Sequence, residues 1–403
     1  MRFGLFCQEL PFFQVRYENL CERFASDDTA EPAFSRLDAR ASVQTVNSEF
    51  PVLALNKFLI TGGAGFVGSN IGMALRSAFP KAEIVAMDNL YRGGSELNVP
   101  RLEKAGIQFH RGDVRAPQTF PPGSFDLLIE CSAEPSVLAG QDGSPDYIFQ
   151  TNLVGAYQCL EKARACNGKM IFLSTSRVYP VAPLEAHPWR EESTRFAWED
   201  GKDGITSRGV SETMDLQGAR SLYGYTKLSA EQLIEEYRAA YGLKSIVNRC
   251  GVIAGPWQFG KVDQGVASLW VLAHHFGRSL SYIGYGGKGK QVRDFLHVND
   301  LCDLIIEQIR DFELWEGWLG NVAGGLSNTV SLCELTAMCQ EITGKRIPIQ
   351  PVPENRRFDL RLYIGDCAKL FTHTTWRPKH DVWRIIQDIH SWVKEHEEAL
   401  AKL

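Results

Sequence analysis

A phenol and a primary amine one helical turn apart are the first residues in this chain whose spacing suggests chemistry. In GARSLYGYTKLSAEQ, Tyr223 and Lys227 lie four positions apart and share a helical face, whereas Tyr225, two from either, points elsewhere. A tyrosine hydroxyl with a reference pKa of about 10 is too little ionised at neutral pH to act as a base unless its phenolate is stabilised. An ammonium one turn along the same face supplies that stabilisation. The pair is suited to taking a proton from a hydroxyl group, with Tyr225 left to packing or the rim.

A second pattern precedes it. In KFLITGGAGFVGSN a short apolar run leads straight into Gly62, Gly65 and Gly68, at GxxGxxG spacing, just before a helical segment. Glycines there permit a tight turn, close approach of the main chain to a pyrophosphate and close packing of helix on strand, and the helix N-terminus attracts phosphate. The next apolar run ends in MDNL, which sets Asp88 20 residues beyond Gly68, where an acid accepts hydrogen bonds from the adenosine ribose hydroxyls and repels the 2′-phosphate of NADP. NAD is therefore the expected cofactor. In GDVR, Asp113 ends a third short strand; it either meets the adenine or is a plain turn aspartate.

These residues need a scaffold, and the chain supplies its pattern from Lys57 on. The runs KFLIT, EIVAMD, FDLLIE, KMIFLS and SIVNR alternate with longer helical segments such as NIGMALRSAF and PDYIFQTNLVGAYQCLEKAR. Near-continuous apolar strands separated by helices are what a parallel sheet covered on both faces requires. The fold class expected is α/β, a doubly wound parallel sheet, over residues 57–250, with a smaller C-terminal lobe over 251–403 that closes on the carboxyl ends of the strands. Residues 1–56 show no sustained period and are expected to be an extension outside the catalytic core.

Composition narrows the class. With 403 residues, 44% hydrophobic, the chain can bury a sizeable core. Its 43 basic and 48 acidic residues, net −5 and without long like-charge runs, give no footprint for nucleic acid or an anionic membrane. The ten cysteines show no CxxC pair or zinc-like spacing, and His274, His275 and His297 have no metal spacing, so no metal is expected. Reduced thiols, no apolar run of about 20 residues and no signal-peptide pattern point to the cytoplasm.

The glycine loop, Tyr223-xxx-Lys227 and LSTSRVYP together resemble the extended short-chain dehydrogenase/reductase family of nucleotide-sugar enzymes, over residues 57 to about 395. The resemblance implies that Thr175 hydrogen-bonds the reacting hydroxyl, that Tyr223 is the base and that Lys227 also holds the nicotinamide ribose. It further implies a cofactor site lined by Phe66, Val67, Asn89, Val114 and Ala133, and by Asn152, Ser174 and Cys250. A homodimer or higher homo-oligomer is the family's usual assembly.

Within that family the sugar 4,6-dehydratases carry Asp-Glu after the position of Thr175, where this chain has Ser176 and Arg177. The acid and base for expelling water are missing. WQFGKVDQG, GGKGKQVRDFLHVNDL and RRFDLRLYIGD resemble, in order, segments of the CDP-paratose 2-epimerase (CDP-tyvelose epimerase) subfamily. The likeness implies a substrate site including Ser176, Gln258 and Gln264, with Arg293 and Arg361 gripping a nucleotide diphosphate through bidentate guanidinium contacts. Arg356 and Arg357 read as partners in surface salt bridges. VYP in place of VYG, Glu134 in place of glutamine and Val252 in place of asparagine depart from the family pattern. The function expected is an NAD-dependent nucleotide-sugar epimerase, with a CDP-hexose the leading substrate and a place in lipopolysaccharide biosynthesis. The alternatives are another epimerase or reductase of the same family, or a non-catalytic NAD-binding sensor.

Overall fold

The computed structural model describes residues 55–141, 143–199, 201, 203–260 and 264–402. The expectation for residues 1–56 falls almost wholly outside them. Seven strands form one parallel sheet: β1 (Lys57–Thr61), β2 (Glu83–Asp88), β3 (Gln108–Arg111), β4 (Leu127–Glu130), β5 (Lys169–Thr175), β6 (Ser245–Cys250) and, returning from far along the chain, Leu319–Val322. From edge to edge the order is Leu319–Val322, β6, β5, β4, β1, β2, β3, so the direction of winding reverses between β1 and β4. Loops after those two strands diverge and leave a crevice at their carboxyl ends, the usual ligand position in this topology.

Burial explains the apolar runs. Phe58 and Ile60 face one side of the sheet, against Ile71 and Leu75 of helix α1 (Phe66–Ala78), while Leu59 between them faces the other side with Leu160 of α2 (Gly155–Ala165) and Ile234 of α3 (Leu222–Tyr241). Both faces are covered, so neither alternation nor polar outward positions are needed. The doubly wound parallel sheet read from the sequence is the fold observed.

Beyond Gly251 the chain serves both parts of the body. Leu301 and Ile305 of the helix Val298–Arg310 pack with α1, and Leu319–Val322 pairs in parallel with β6. The rest builds a second core in which Val266–Phe276, Leu332–Thr343 and Val382–Glu395 pack together. Val382, Ile385, Ile386, Ile389, Trp392 and Val393 are the buried stripe of the last of these, at helical spacing. A smaller sheet pairs Val292–His297 with Val252–Ala254, Thr329–Ser331 and Leu362–Tyr363. It carries Arg293 to the crevice.

Eight cysteines among the described residues are free thiols. No helix among them is long and apolar enough to cross a membrane.

Candidate active site

The glycine loop closes tightly on itself. Gly62 has φ +66°, a conformation in which side chains are strained, and Gly65 N donates to Gly62 O at 3.0 Å. A Cβ on Gly68 would lie 2.3 Å from Gly62 O, so the loop rests directly on the first turn of α1. That turn carries no acidic residue and its N-cap, Gly65, offers no side-chain acceptor. Main-chain donors at a helix start, with glycine where main chain must come close, fit a pyrophosphate.

Asp88 ends β2 beside the loop and accepts from Leu90 N at 2.8 Å and Ala64 N at 3.1 Å. Burial pushes its carboxyl above the usual range, against the pull of these bonds. Asp113 is held down at about 2 by the Arg115 guanidinium, 2.6 Å away, and also accepts from Asn89 Nδ2 at 3.0 Å. This pairing ties the ends of β2 and β3 together.

A cavity of about 720 Å³ runs from the glycine loop past the ends of β4, β5 and β6 into the second core. Gly62, Gly65, Phe66, Val67 and Gly68 line it at one end, then Ala133, Ser174, Thr175, Ser176, Tyr223, Lys227 and Cys250, then Gln258, Gln264 and Arg293. Residues expected from motifs spread between Gly62 and Arg293 thus line one cavity, while Asp88, Asn89 and Asp113 are not among its lining residues.

Thr175 is the last residue of β5, and Tyr223 sits in the first turn of α3, whose N-cap Ser221 accepts from Gly224 N at 3.2 Å. Thr175 and Tyr223 line the cavity together, and the Thr175 hydroxyl is one of the groups that favour the phenolate. Burial pushes that phenol up; Lys227 and Thr175 pull it back without reversing the sign. The expectation that Lys227 lowers the phenol is thus met as one contribution, but burial wins the balance. Lys227, 2% exposed, lies 3.2 Å from the carboxylate of Glu130, itself 1% exposed, and 4.2 Å above the Phe172 ring. Burial works to discharge this ammonium, but Glu130 and Tyr223 outweigh it and hold it above the ordinary lysine value. Tyr225 is half exposed with its ring 6.0 Å from Phe149, away from the pair.

Other expected residues brace the cavity wall. Asn152, 2% exposed, accepts from Glu134 N at 2.7 Å and donates to Glu134 O at 3.0 Å and Thr226 Oγ1 at 3.2 Å, bracing the loop after β4 against α3. Val114 packs in the core. Ser174 donates to Glu231, which is clamped by Arg249 through bonds of 2.7 to 3.1 Å, so the end of β5 is anchored to α3 and β6.

On the substrate side, Arg293 donates to Asp359 Oδ1 at 2.8 Å and to Leu360 O at 2.6 Å. The buried Gln264 Oε1 has no hydrogen-bond partner among the described residues, an orphan acceptor at the cavity wall. Arg361 is not on that wall: its guanidinium lies 4.0 Å from the Trp189 ring centre and 5.0 Å from that of Tyr285, with Glu185 at 3.5 Å. Arg177 and Arg356 do line the cavity. Burial lowers Arg177 to about 10, and it donates to Phe358 O at 3.2 Å. Arg356, read from the sequence as a partner in a surface salt bridge, lines the cavity instead, in the segment whose Asp359 and Leu360 accept from Arg293. The histidines have structural surroundings: His297 accepts from Asn299 N to cap the helix Val298–Arg310, and His274 bonds Trp270 O.

The family model for the NAD dependent epimerase/dehydratase family matches residues 58–314. A CDP-paratose 2-epimerase of Salmonella typhi is 29% identical over 356 residues, covering 83% of this chain and 98% of that protein. A UDP-glucose 4-epimerase of Halalkalibacterium halodurans is 25% identical over 357 residues, covering 84% and 96%. Among solved structures, the UDP-glucose 4-epimerase of Thermus thermophilus in complex with NAD superposes with a TM-score of 0.65 at 26% identity, over 84% of this chain and 98% of that one. Fold, glycine loop and matched length agree: the chain belongs to the NAD-dependent epimerase/dehydratase family.

Proposed function

We propose that this protein is an NAD-dependent nucleotide-sugar epimerase that inverts one sugar carbon through a transient ketone, with a CDP-linked 3,6-dideoxyhexose such as CDP-paratose as substrate and C2 as the inverted carbon. The observation that carries the reading is the convergence of Thr175, Tyr223 and Lys227 with the glycine loop on one cavity. Similarity to the CDP-paratose 2-epimerase, greater than to the UDP-glucose 4-epimerase, supports the choice of sugar.

The glycine loop and the N-terminus of α1 would hold the cofactor's pyrophosphate, Asp88 its adenosine ribose and Lys227 its nicotinamide ribose. When bound, NAD supplies the acceptor, and later the donor, of a hydride. The chain's own residues handle everything else. Thr175 bonds and orients the sugar hydroxyl. Tyr223, as phenolate, takes the hydroxyl proton as the carbon becomes a ketone, and returns that proton once hydride has been delivered to the opposite face, so the phenol ends each cycle as it began. Ser176 and Arg177, where a dehydratase needs an acid and a base, offer neither at neutral pH, which favours epimerisation over loss of water. Arg293, Arg177 and Arg356 supply cations for a diphosphate.

In CDP-paratose C3 bears no hydroxyl, so no ketone next to C2 can be made to acidify its C–H. Oxidation at C2 itself requires only the groups above. Purified protein should release NAD rather than NADP on denaturation, and should convert CDP-paratose to its C2 epimer. Tightly held NADP would remove the role given to Asp88; inversion of UDP-hexoses at C4 with no action on CDP-paratose would reassign the substrate. Asp88→Ala should loosen the preference for NAD.

A further inference from the structure

The loop that follows β2 is held by residues from far along the chain that the reaction as described does not use. Gly94 has φ +95°, and a Cβ placed on it would stand 2.7 Å from Cγ of Phe259 and 2.9 and 3.0 Å from its two Cδ atoms, so the Phe259 ring rests directly on the Gly94 main chain. Gly94 precedes the short helical turn Ser95–Asn98. Asn98, wholly buried, donates to Ala64 O of the glycine loop at 2.9 Å, and Ser95 lines the cavity with Gly62 and Gly65. Phe259 lines the same cavity, and its ring meets that of Trp392, on the helix Val382–Glu395, edge to face at 5.8 Å. Two residues before it, Trp257 takes φ +71°, an outlier for a bulky side chain that persists only where the surroundings hold it. They do: its ring lies 4.6 Å from the Arg101 guanidinium and 5.8 Å from the Trp392 ring. Arg101 donates to Asn70 Oδ1 of α1 at 2.7 Å, and Asn70 Nδ2 donates to Pro256 O at 3.2 Å.

We propose that Phe259 is a positioning residue for the cofactor: seated on Gly94, it presses the turn Ser95–Asn98 onto the glycine loop and so fastens NAD in the protein while the sugar is a ketone. The proposal rests on the reading of the reaction as removal and return of one hydride. Such an epimerase carries an obligation that a simple dehydrogenase lacks, because the protein must hold the reduced cofactor until the ketone presents its other face. Loss of cofactor during that interval would end the cycle at the oxidised sugar. The fastening comes from the segment 256–259, which follows the strand Val252–Ala254 and precedes the helix Val266–Phe276, so the part of the chain that builds the second core also closes the cofactor loop. Space explains the glycine at 94, since any side chain there would drive the ring off its seat. Phe259 reaches the glycine loop only through Gly94 and Asn98, so its effect falls on retention of the cofactor and not on the proton held by Tyr223.

The test is the rate at which bound NAD leaves, measured with no sugar present. Protein carrying radiolabelled NAD is mixed with an excess of unlabelled NAD, and the label still bound is followed over time by rapid filtration. Phe259→Ala, which removes the aromatic contact, should release NAD about tenfold faster than the parent or more. Phe259→Tyr, which keeps the ring on Gly94, should stay near the parent. Gly94→Ala, which puts a methyl group where the ring sits, should also speed release. In Gly94→Ala/Phe259→Ala that methyl meets no ring, so the double variant should fall short of the product of the two single effects. Release at the parent's rate in folded Phe259→Ala overturns the proposal and leaves Phe259 a packing residue only; so does a double variant that shows the full product, since the two residues would then act apart. Should Phe259→Ala not fold, Gly94→Ala carries the test, and release at the parent's rate overturns the proposal in the same way. Because no sugar enters the measurement, failure of CDP-paratose to react would sink the substrate and leave these rates untouched, while unchanged release would sink the role of Phe259 alone.

Discussion

Gly68→Ala tests the cofactor loop at the point where it has least room. The new Cβ would lie 2.3 Å from Gly62 O, 2.9 Å from Gly62 C and 3.0 Å from Gly63 Cα, all main-chain atoms. A carbon and an oxygen in ordinary contact sit roughly 1 Å further apart than the first of these, and no side-chain rotation can relieve the clash. The loop cannot simply retreat, because the space beside Gly62 is taken by Cys131 C and O and Ser132 N, each 2.8 Å from where a Cβ on Gly62 would stand. Overpacking of this kind costs about 1–3 kcal/mol. If the loop shifts off the helix, the cost falls on cofactor binding, and the Kd for NAD rises about 5- to 150-fold. If loop and helix hold, it appears as a lower Tm. Titration calorimetry with NAD on protein stripped of nucleotide, with a thermal melt of the same sample, reads both. A variant with unchanged Kd and unchanged Tm would refute the placement of Gly68 against the loop.

Tyr223→Phe should abolish turnover and leave NAD bound, since it deletes the proton acceptor and little volume, while Tyr225→Phe on the exposed face should be mild; equal losses would mean the wrong tyrosine is the base. Arg249→Met strands the Glu231 carboxylate, 3% exposed, behind Ser174. The cost of about 3–5 kcal/mol, against an unfolding entropy of about 0.7 kcal/mol/K for a body of about 350 residues, is a fall in Tm of about 4–7 °C, and a melt within a degree of the parent would contradict it. Asp294, fully buried between Gly325 N and Gly365 N, has its carboxyl raised to about 6 by burial. Its stabilisation is therefore complete below its unfolded pKa and is lost as pH rises through about 6. Denaturant titrations should show Asp294→Asn gaining on the parent by about 2 kcal/mol from pH 4 to 6; a constant gap would show that Asp294 does not titrate there.

The sheet was readable where burial on both faces left unbroken apolar runs, as in EIVAMD and KMIFLS. Leu319–Val322 escaped because LGNV is four residues with a glycine and an asparagine, and only its pairing with β6 makes it a strand. That Tyr223, Lys227, Gly62, Gly65 and Gly68 come together was legible because it follows from spacing along one helix and one strand-to-helix turn. Glu130 was not, since it reads as the end of FDLLIE and its partner is 97 positions away. The Glu231–Arg249 clamp on Ser174 is hidden for the same reason. Arg361 shows the limit of matching by segment: the segment resembles one that grips diphosphate, while Trp189, Phe196 and Tyr285 converge on the guanidinium from distant parts of the chain. Arg356, five positions earlier, lines the cavity instead.

The most direct test of the account is the fate of a label at the inverted carbon. CDP-paratose deuterated at C2 is incubated with the purified protein, and the C2 epimer formed is analysed by mass spectrometry and NMR, with a parallel reaction of unlabelled substrate in heavy water. Reversible oxidation at C2, with Tyr223 exchanging only the hydroxyl proton, predicts that the product keeps its deuterium at C2 and that none enters C3 from solvent. Loss of the C2 label to water, or deuterium at C3, would contradict the account, and no epimer at all would remove CDP-paratose as the substrate.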